Sequence, residues 1–463
     1  MGEGMRRMRG WVVGAVLACA MAAPTVSGQE VVAFENVTVL TMDDDRRMEG
    51  RTVLVEDGLI TRVGAAGSVE VPDGALRIDG RGRFLMPGLA EMHAHVPPTP
   101  NPPRELLEDY MFLYVANGIT TIRGMLGQAY QIELADELEG GDLLGPTFYV
   151  GAPSINGNSA PTPDDAERLI RAHAGAGYDL QKIHPGVSRE SWDRMVAVAE
   201  EVGLTYGGHV PADVGLEHAL ATGMSTVDHL DGYVTAVASE GVQAQVSTGT
   251  ISLGGLVEGA EEARIQEIIR RSLEADVYVV PTQYLWESLY AGRDPDEYLG
   301  LPEMVYVSSE QREAWRQQGS GGPQGTPEEL EAFFDLRDRI LVELADAGVG
   351  ILMGTDSPQL YNVPGFALHR EIAEMEGAGM TRDQILRSGT VEVARYVGDH
   401  LGLADNFGTV AEGNRADLVL LEEDPLEDLD HLTGRVGVMV RGQWVSAEEI
   451  SAGLDALAAK HAR

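Results

Sequence analysis

Two histidines, His93 and His95, stand two apart in an apolar stretch, and a strand's period of two places both imidazoles on one face. Further along, Lys182, His209, His229 and Asp356 each lie at the end of a short apolar run. Imidazole and carboxylate are ligands for divalent cations, and a lysine amine can be converted into one. An H-x-H pair alone is a modest signal. Six residues of these types become informative if the fold gathers the ends of their runs. Lys182 also stands out by composition: only two of the 34 basic residues are lysine, Lys182 and Lys460, so arginine serves wherever a generic positive charge suffices.

The elements that must position these residues alternate. From Leu89 to about Leu403 an amphipathic helix repeatedly ends at glycine, at 118, 177, 203, 223 and 348, and a short strand follows at once. The strands read as Leu89 to His95, Ile119 to Arg123, Thr147 to Gly151, Leu180 to His184, Thr205 to His209, Thr226 to His229, Val277 to Pro281 and Gly350 to Asp356. Eight such units imply an α/β fold, a parallel (β/α)8 TIM-like barrel with its chemistry at the C-terminal strand ends. An open doubly wound sheet would need a Gly-rich nucleotide turn after the first strand, and none is present. The stretch from Tyr284 to Thr326 reads as an excursion over the barrel mouth.

Outside the barrel the pattern changes. Residues 31 to 86 are short strands and turns, with Glu56-Asp57-Gly58 as a hairpin turn, and the same style returns at Gly408 to Val445. The two ends therefore pair into one small β-sandwich domain, residues 29–86 and 406–450, around a barrel of residues 87–405. Before it, Arg6, Arg7 and Arg9 precede an apolar run from Trp11 to Ala23 and a small-residue stretch, which reads as an export signal peptide of residues 1–28. The run is too short to span a membrane. Cleavage after Gly28 keeps the apolar core whole; cleavage after Ala22 and lipidation of Cys19 are the alternatives. Export to the periplasm or exterior follows. Loss of Cys19, the one cysteine, leaves nitrogen and oxygen as the only metal ligands. The formal charge of −39 argues against nucleic acid and anionic membranes as partners.

The motifs Phe84-Leu-Met-Pro-Gly-Leu-Ala-Glu-Met-His-Ala-His95, Gln181-Lys-Ile-His184, Gly207-Gly-His-Val-Pro211, Val227-Asp-His-Leu-Asp-Gly-Tyr233 and Gly354-Thr-Asp-Ser-Pro358 resemble those of the amidohydrolase superfamily. The likeness is greatest to its imidazolonepropionase-like and Xaa-Pro-dipeptidase-like branch. The resemblance implies that His93, His95 and Asp356 hold one divalent metal and His209 and His229 a second, with Lys182, carboxylated on its amine, as the bridge. Zinc is the first expectation, and manganese, iron or cobalt suit the same donors. It further implies hydrolysis of an amide bond in a small molecule, such as a dipeptide or N-acyl amino acid, by a metal-bridging hydroxide, with Asp356 as general base and then acid. Relatives are often homo-oligomers.

Three residues near strand ends are candidates for substrate contact: His184, Tyr233 and Arg123. His184 lies two past Lys182 and so on the same strand face, where dipeptidase-like relatives often carry tyrosine. A substrate carboxylate would suit Arg123 or His184. The remaining histidines read as structural. Two other readings compete. An imidazolonepropionase-like ring opening with one metal is opposed by Lys182, which those mononuclear relatives lack; a non-catalytic scaffold is opposed by the intact set of six.

Overall fold

The computed structural model describes residues 31–43, 47–247, 249–292, 294–319 and 322–462. The expected signal peptide lies outside the described residues. Eight parallel strands form the centre: β1 (Leu89–Ala94), β2 (Ile119–Gly124), β3 (Thr147–Val150), β4 (Gln181–Ile183), β5 (Tyr206–Gly208), β6 (Thr226–Asp228), β7 (Tyr278–Val280) and β8 (Gly350–Ile351). They pair in chain order within β1 to β3 and within β4 to β8. A parallel bridge from Gly151 to Leu180 joins the two groups. Bonds from Met92 N to Met353 O and from Asp356 N to His93 O, both 2.8 Å, bring the last strand against the first. The architecture is a (β/α)8 barrel with a β-sandwich domain.

Local sequence explains the alternation. The helix Pro163–Ala176 starts where Thr162 accepts a hydrogen bond from Asp165 N, has Pro163 in its first turn, and stops at Gly177 with φ 88°. Its successor, Arg189–Val202, is capped by Ser188 and stopped by Gly203 at φ 72°. Trp192, Met195 and Ala199 on its inner face are buried in the main core between helices and strands. Burying a large apolar side chain of this kind contributes about 1.5–3 kcal/mol.

The expected eighth strand, Gly350 to Asp356, pairs as a strand only through Ile351. Beyond it the chain presses against its neighbours: a Cβ on Gly354 would lie 2.6 Å from Val280 Cγ1 and 2.9 Å from His93 N. Asp356 itself turns out of the strand at φ 64°. The segment after β7 folds into the helices Gln283–Tyr290, Pro295–Leu299 and Ser309–Gln318, with a 3-10 turn at Pro302–Tyr306. The pieces from Pro295 to Gln318 build a separate apolar cluster with the loop that follows Asp356.

Both chain ends contribute to one eight-stranded sheet. Val32–Leu40 lies between Arg47–Glu56 and Phe84–Pro87, and Phe84–Pro87 pairs with Leu418–Leu421, which continues to Arg435–Val440 and Gln443–Ser446. The Asp57-Gly58 turn has φ of 49° and 78°, the left-handed pair that matches the twist of the flanking strands. A C-terminal helix, Ala447–His461, was not read from the sequence; Ser446 and Glu449 form its capping box. No helix among the described residues is long and apolar enough to cross a membrane.

Candidate metal centre

The strand ends deliver all six expected residues to one place. His93, His95 and Asp356 are buried and present ligand atoms within 4.8 Å of one another. His95 Nε2 is 2.5 Å from Asp356 Oδ1, and His93 Nε2 is 3.6 Å from the same oxygen. His229 faces the other oxygen, Nε2 to Oδ2 3.7 Å. Its ring centroid is 4.6 Å from that of His93 and 4.5 Å from that of His209, so the second histidine pair adjoins the first. Lys182 is fully buried, with Nζ 3.3 Å from His93 Nε2.

Behind the rings stand groups that orient them. His93 Nδ1 lies 2.8 Å from Asp228 Oδ2, His209 Nδ1 2.7 Å from Asp231 Oδ2, and His229 Nδ1 2.8 Å from Thr282 Oγ1. With the proton on Nδ1 donated outward, each ring turns an Nε2 lone pair toward the centre. His229 Nε2 is buried without a hydrogen-bond partner, and leaving such an atom unmet costs about 1–3 kcal/mol. A cation there satisfies it, so the donor set fits a divalent metal. Strain is concentrated here too: His229, Leu230, Thr282 and Asp356 have φ of 66°, 53°, 48° and 64°.

Electrostatics keep His93 and His229 in the ligating form. Burial, reinforced by Lys182, pushes His93 down to about 4. Burial and the adjoining His209 and His93 hold His229 well below the usual imidazole range. Burial also lowers Lys182, favouring its neutral amine. For Asp356 burial acts upward, but His93, His95 and His229 together outweigh it and hold the carboxyl well below its ordinary range. Glu91, pushed up to about 8 by burial, accepts from Thr355 Oγ1 (2.6 Å), Thr355 N (2.8 Å) and His93 N (3.0 Å), fastening β1 to the end of the eighth strand.

Two of the three expected substrate contacts are placed elsewhere. Arg123 is 0 % exposed on the barrel floor: Nε donates to Met92 O (2.7 Å), and the guanidinium bonds Thr226 Oγ1 (3.2 Å), Tyr396 OH (3.1 Å) and Asp228 Oδ1 (3.3 Å). Its guanidinium reaches Asp228, which lies behind His93. Tyr233, also 0 % exposed, pairs its hydroxyl with Ser272 Oγ at 2.8 Å inside the helical layer. Neither has surface to offer a ligand. His184 remains at the rim, its ring stacked on His209 at 5.0 Å and its Nδ1 buried without a partner.

Residues that sequence reasoning missed are those behind the ligands: Asp228, Asp231, Thr282 and, beside Asp356, Gln359. Asp228 and Asp231 flank His229 within a motif already singled out, and an acid beside a strand-end histidine was the available signal. Thr282 and Gln359 carry no such mark.

The geometry is that of a barrel with a possible divalent-metal site, His93, His95 and Asp356, at its strand ends, and the amidohydrolase family model matches residues 84–445. The chain belongs to the amidohydrolase family and is a hydrolase acting on carbon–nitrogen bonds. It is 23% identical over 419 residues to ochratoxinase of Aspergillus niger, covering 84% of this chain and 81% of that one. It is 24% identical over 429 residues to imidazolonepropionase of Idiomarina loihiensis, covering 88% and 94%. Among solved structures, a bottromycin amidohydrolase superposes with a TM-score of 0.70 at 22% identity over 93% of this chain and 90% of that one. A Xaa-Pro dipeptidase with bound methionine superposes with a TM-score of 0.63 at 18% identity over 90% and 100%.

Proposed function

We propose that this chain hydrolyses the amide bond of a small molecule, such as a dipeptide or an N-acyl amino acid, using two divalent cations held by His93, His95, Lys182, His209, His229 and Asp356. The observation that carries the reading is the convergence of these six, with the Nδ1 atoms of His209 and His229 hydrogen-bonded from behind, His93 Nδ1 2.8 Å from Asp228 Oδ2, and His229 Nε2 buried and unmet. Zinc suits these donors first. Bound cations of this kind acidify water and polarise a carbonyl.

The chain's own groups do the rest. Asp356, held as the anion, takes the proton of the attacking water and returns it to the leaving nitrogen. Lys182 is brought into the set by carboxylation: its neutral amine, favoured by burial, bonds through its lone pair to the carbon of carbon dioxide and releases a proton to solvent. The product would be an anion offering two oxygen donors to bound cations. His184, half-buried at the rim beside His209, is the group left to meet a substrate amide or carboxylate. Dipeptides and amides fit the names borne by the relatives, an ochratoxinase and a Xaa-Pro dipeptidase among them.

The test is a library of dipeptides and N-acyl amino acids offered to the zinc-loaded and manganese-loaded protein, with metal content measured in parallel. Two metals per chain and turnover of at least one amide are expected. Metal-replete protein that turns over none refutes the reading.

A further inference from the structure

We infer that Gln359 is a positioning residue for Asp356, and that the excursion between Pro295 and Gln318 holds Gln359 in place by gripping Tyr361. The inference rests on the reading above, in which Asp356 both ligates and carries the proton.

The need for such a residue follows from the backbone. Asp356 lies beyond β8 in a left-handed conformation; its backbone N is tied to His93 O at 2.8 Å, which fixes where the residue sits but leaves the rotation of its carboxylate to the groups around it. A carboxylate rotates through a broad, two-fold range about its last torsion. Gln359 Nε2 donates to Oδ1 at 2.7 Å, the same oxygen that lies 2.5 Å from His95 Nε2. Oδ1 is thereby committed to the His93 and His95 side, and Oδ2 faces His229 across 3.7 Å, toward the second histidine pair. One amide hydrogen bond assigns the two oxygens their separate roles. An amide does so without adding a positive charge, which would weaken the base.

Gln359 is itself held by a closed turn. Its carbonyl accepts from Asn362 N at 2.6 Å, and Asn362 Nδ2 donates to Thr355 O at 2.8 Å, tying the far end of the turn to the residue before Asp356. Tyr361 within it takes φ of 69°, which for a bulky residue requires support from outside. The excursion supplies that support. The Tyr361 ring lies flat on Tyr298, with centroids 4.6 Å apart and planes at 3°, and edge-on to Trp315 at 6.1 Å. Its hydroxyl donates to Trp315 O at 3.1 Å. Tyr361 is 2 % exposed and Trp315 3 %, so this aromatic grip reaches no substrate and acts on the chemistry through the loop.

The experiment uses the full-length cobalt-loaded protein and three variants, Gln359→Leu, Tyr361→Leu and Asp356→Asn, reading metal content, the visible absorption of bound cobalt, and kcat and KM on the best amide of the library. Gln359→Leu should keep the full metal content and a KM within about twofold, lose about 10–100-fold in kcat, as outer-shell partners of metal ligands do, and alter the cobalt spectrum as Asp356 turns. Tyr361→Leu should reproduce both changes. Wild-type kcat and spectrum in Gln359→Leu overturn the inference, and so does a loss confined to KM, which would make Gln359 a substrate contact. A cobalt spectrum indifferent to Asp356→Asn overturns instead the ligand reading beneath it; one that responds to Asp356→Asn but not to Gln359→Leu overturns the positioning role alone.

Discussion

Replacing Arg123 by methionine separates a residue of the barrel floor from one that meets substrate. Methionine keeps much of the length and donates nothing, so the floor loses the bonds to Met92 O, Thr226 Oγ1 and Tyr396 OH, each worth about 0.5–1.5 kcal/mol net. The larger effect is on Asp228. That carboxylate is 0 % exposed, and burial alone would raise it; Arg123, His93 and Lys182 together hold it well below the usual range. Without the guanidinium a buried anion is stranded, and breaking a buried pair from one side costs about 3–5 kcal/mol. The ion pair therefore dominates, and urea unfolding of metal-free Arg123→Met should show a loss of that size. Removing the stranded charge as well, in Arg123→Met with Asp228→Asn, should recover about 1–3 kcal/mol of it. Because Asp228 orients His93, metal affinity should fall about 10–100-fold, with KM on metal-saturated enzyme little changed. Undiminished stability together with a raised KM on carboxylate-bearing substrates would refute the floor assignment and return Arg123 to the substrate site.

Lys182→Arg preserves a positive charge and removes the amine that carbon dioxide attacks, since a guanidinium stays protonated; metal content should fall from two per chain toward one and activity should vanish, and two metals with full activity would sink the bridging role. Glu371 is fully buried, accepts from Gln283 N and Tyr284 N at 2.9 Å each, and is pushed up to about 8 by burial. Its folded value lies above the unfolded one, so its contribution is complete below an ordinary carboxyl pKa and is lost as pH rises to about 8; calorimetry should show that decline in the wild type and a flatter profile in Glu371→Gln. With a formal charge of −39 the folded chain repels itself, and its melting temperature should rise between roughly 0.1 and 1 M sodium chloride as the Debye length shortens from about 10 to 3 Å. Export should leave a mature chain beginning near Gln29, and N-terminal sequencing that finds an acylated Cys19 would decide for the lipoprotein alternative.

What the sequence made legible and what it hid divide along one physical line. The convergence of His93, His95, Lys182, His209, His229 and Asp356 was readable because each lies at the end of a periodic run, and in a parallel barrel all such ends meet at one rim. Nothing about distance was needed. The Asp57-Gly58 turn and the glycine helix stops were readable for a related reason, since each depends on backbone conformations that few residues adopt.

The groups behind the ligands were hidden because they act across strands, where spacing says nothing. Asp228 precedes His229 in sequence yet serves His93 on β1, across the barrel. Strict alternation along a strand would put Asp228 and His229 on opposite faces and send one of them outward. Both are instead inside, because the chain leaves the strand at His229, whose φ of 66° redirects its ring. The same exception governs Asp356, whose strand pairing ends five residues earlier than its apolar pattern suggested. Arg123 and Tyr233 show the converse error. Proximity to a strand end was taken as proximity to the mouth, but the Arg123 guanidinium turns inward to brace Asp228 behind His93, and Tyr233 turns outward to Ser272 in the helical layer. Left-handed φ at non-glycine residues thus marks the places where periodicity stops predicting direction, and in this barrel two of them, His229 and Asp356, are themselves in the expected ligand set.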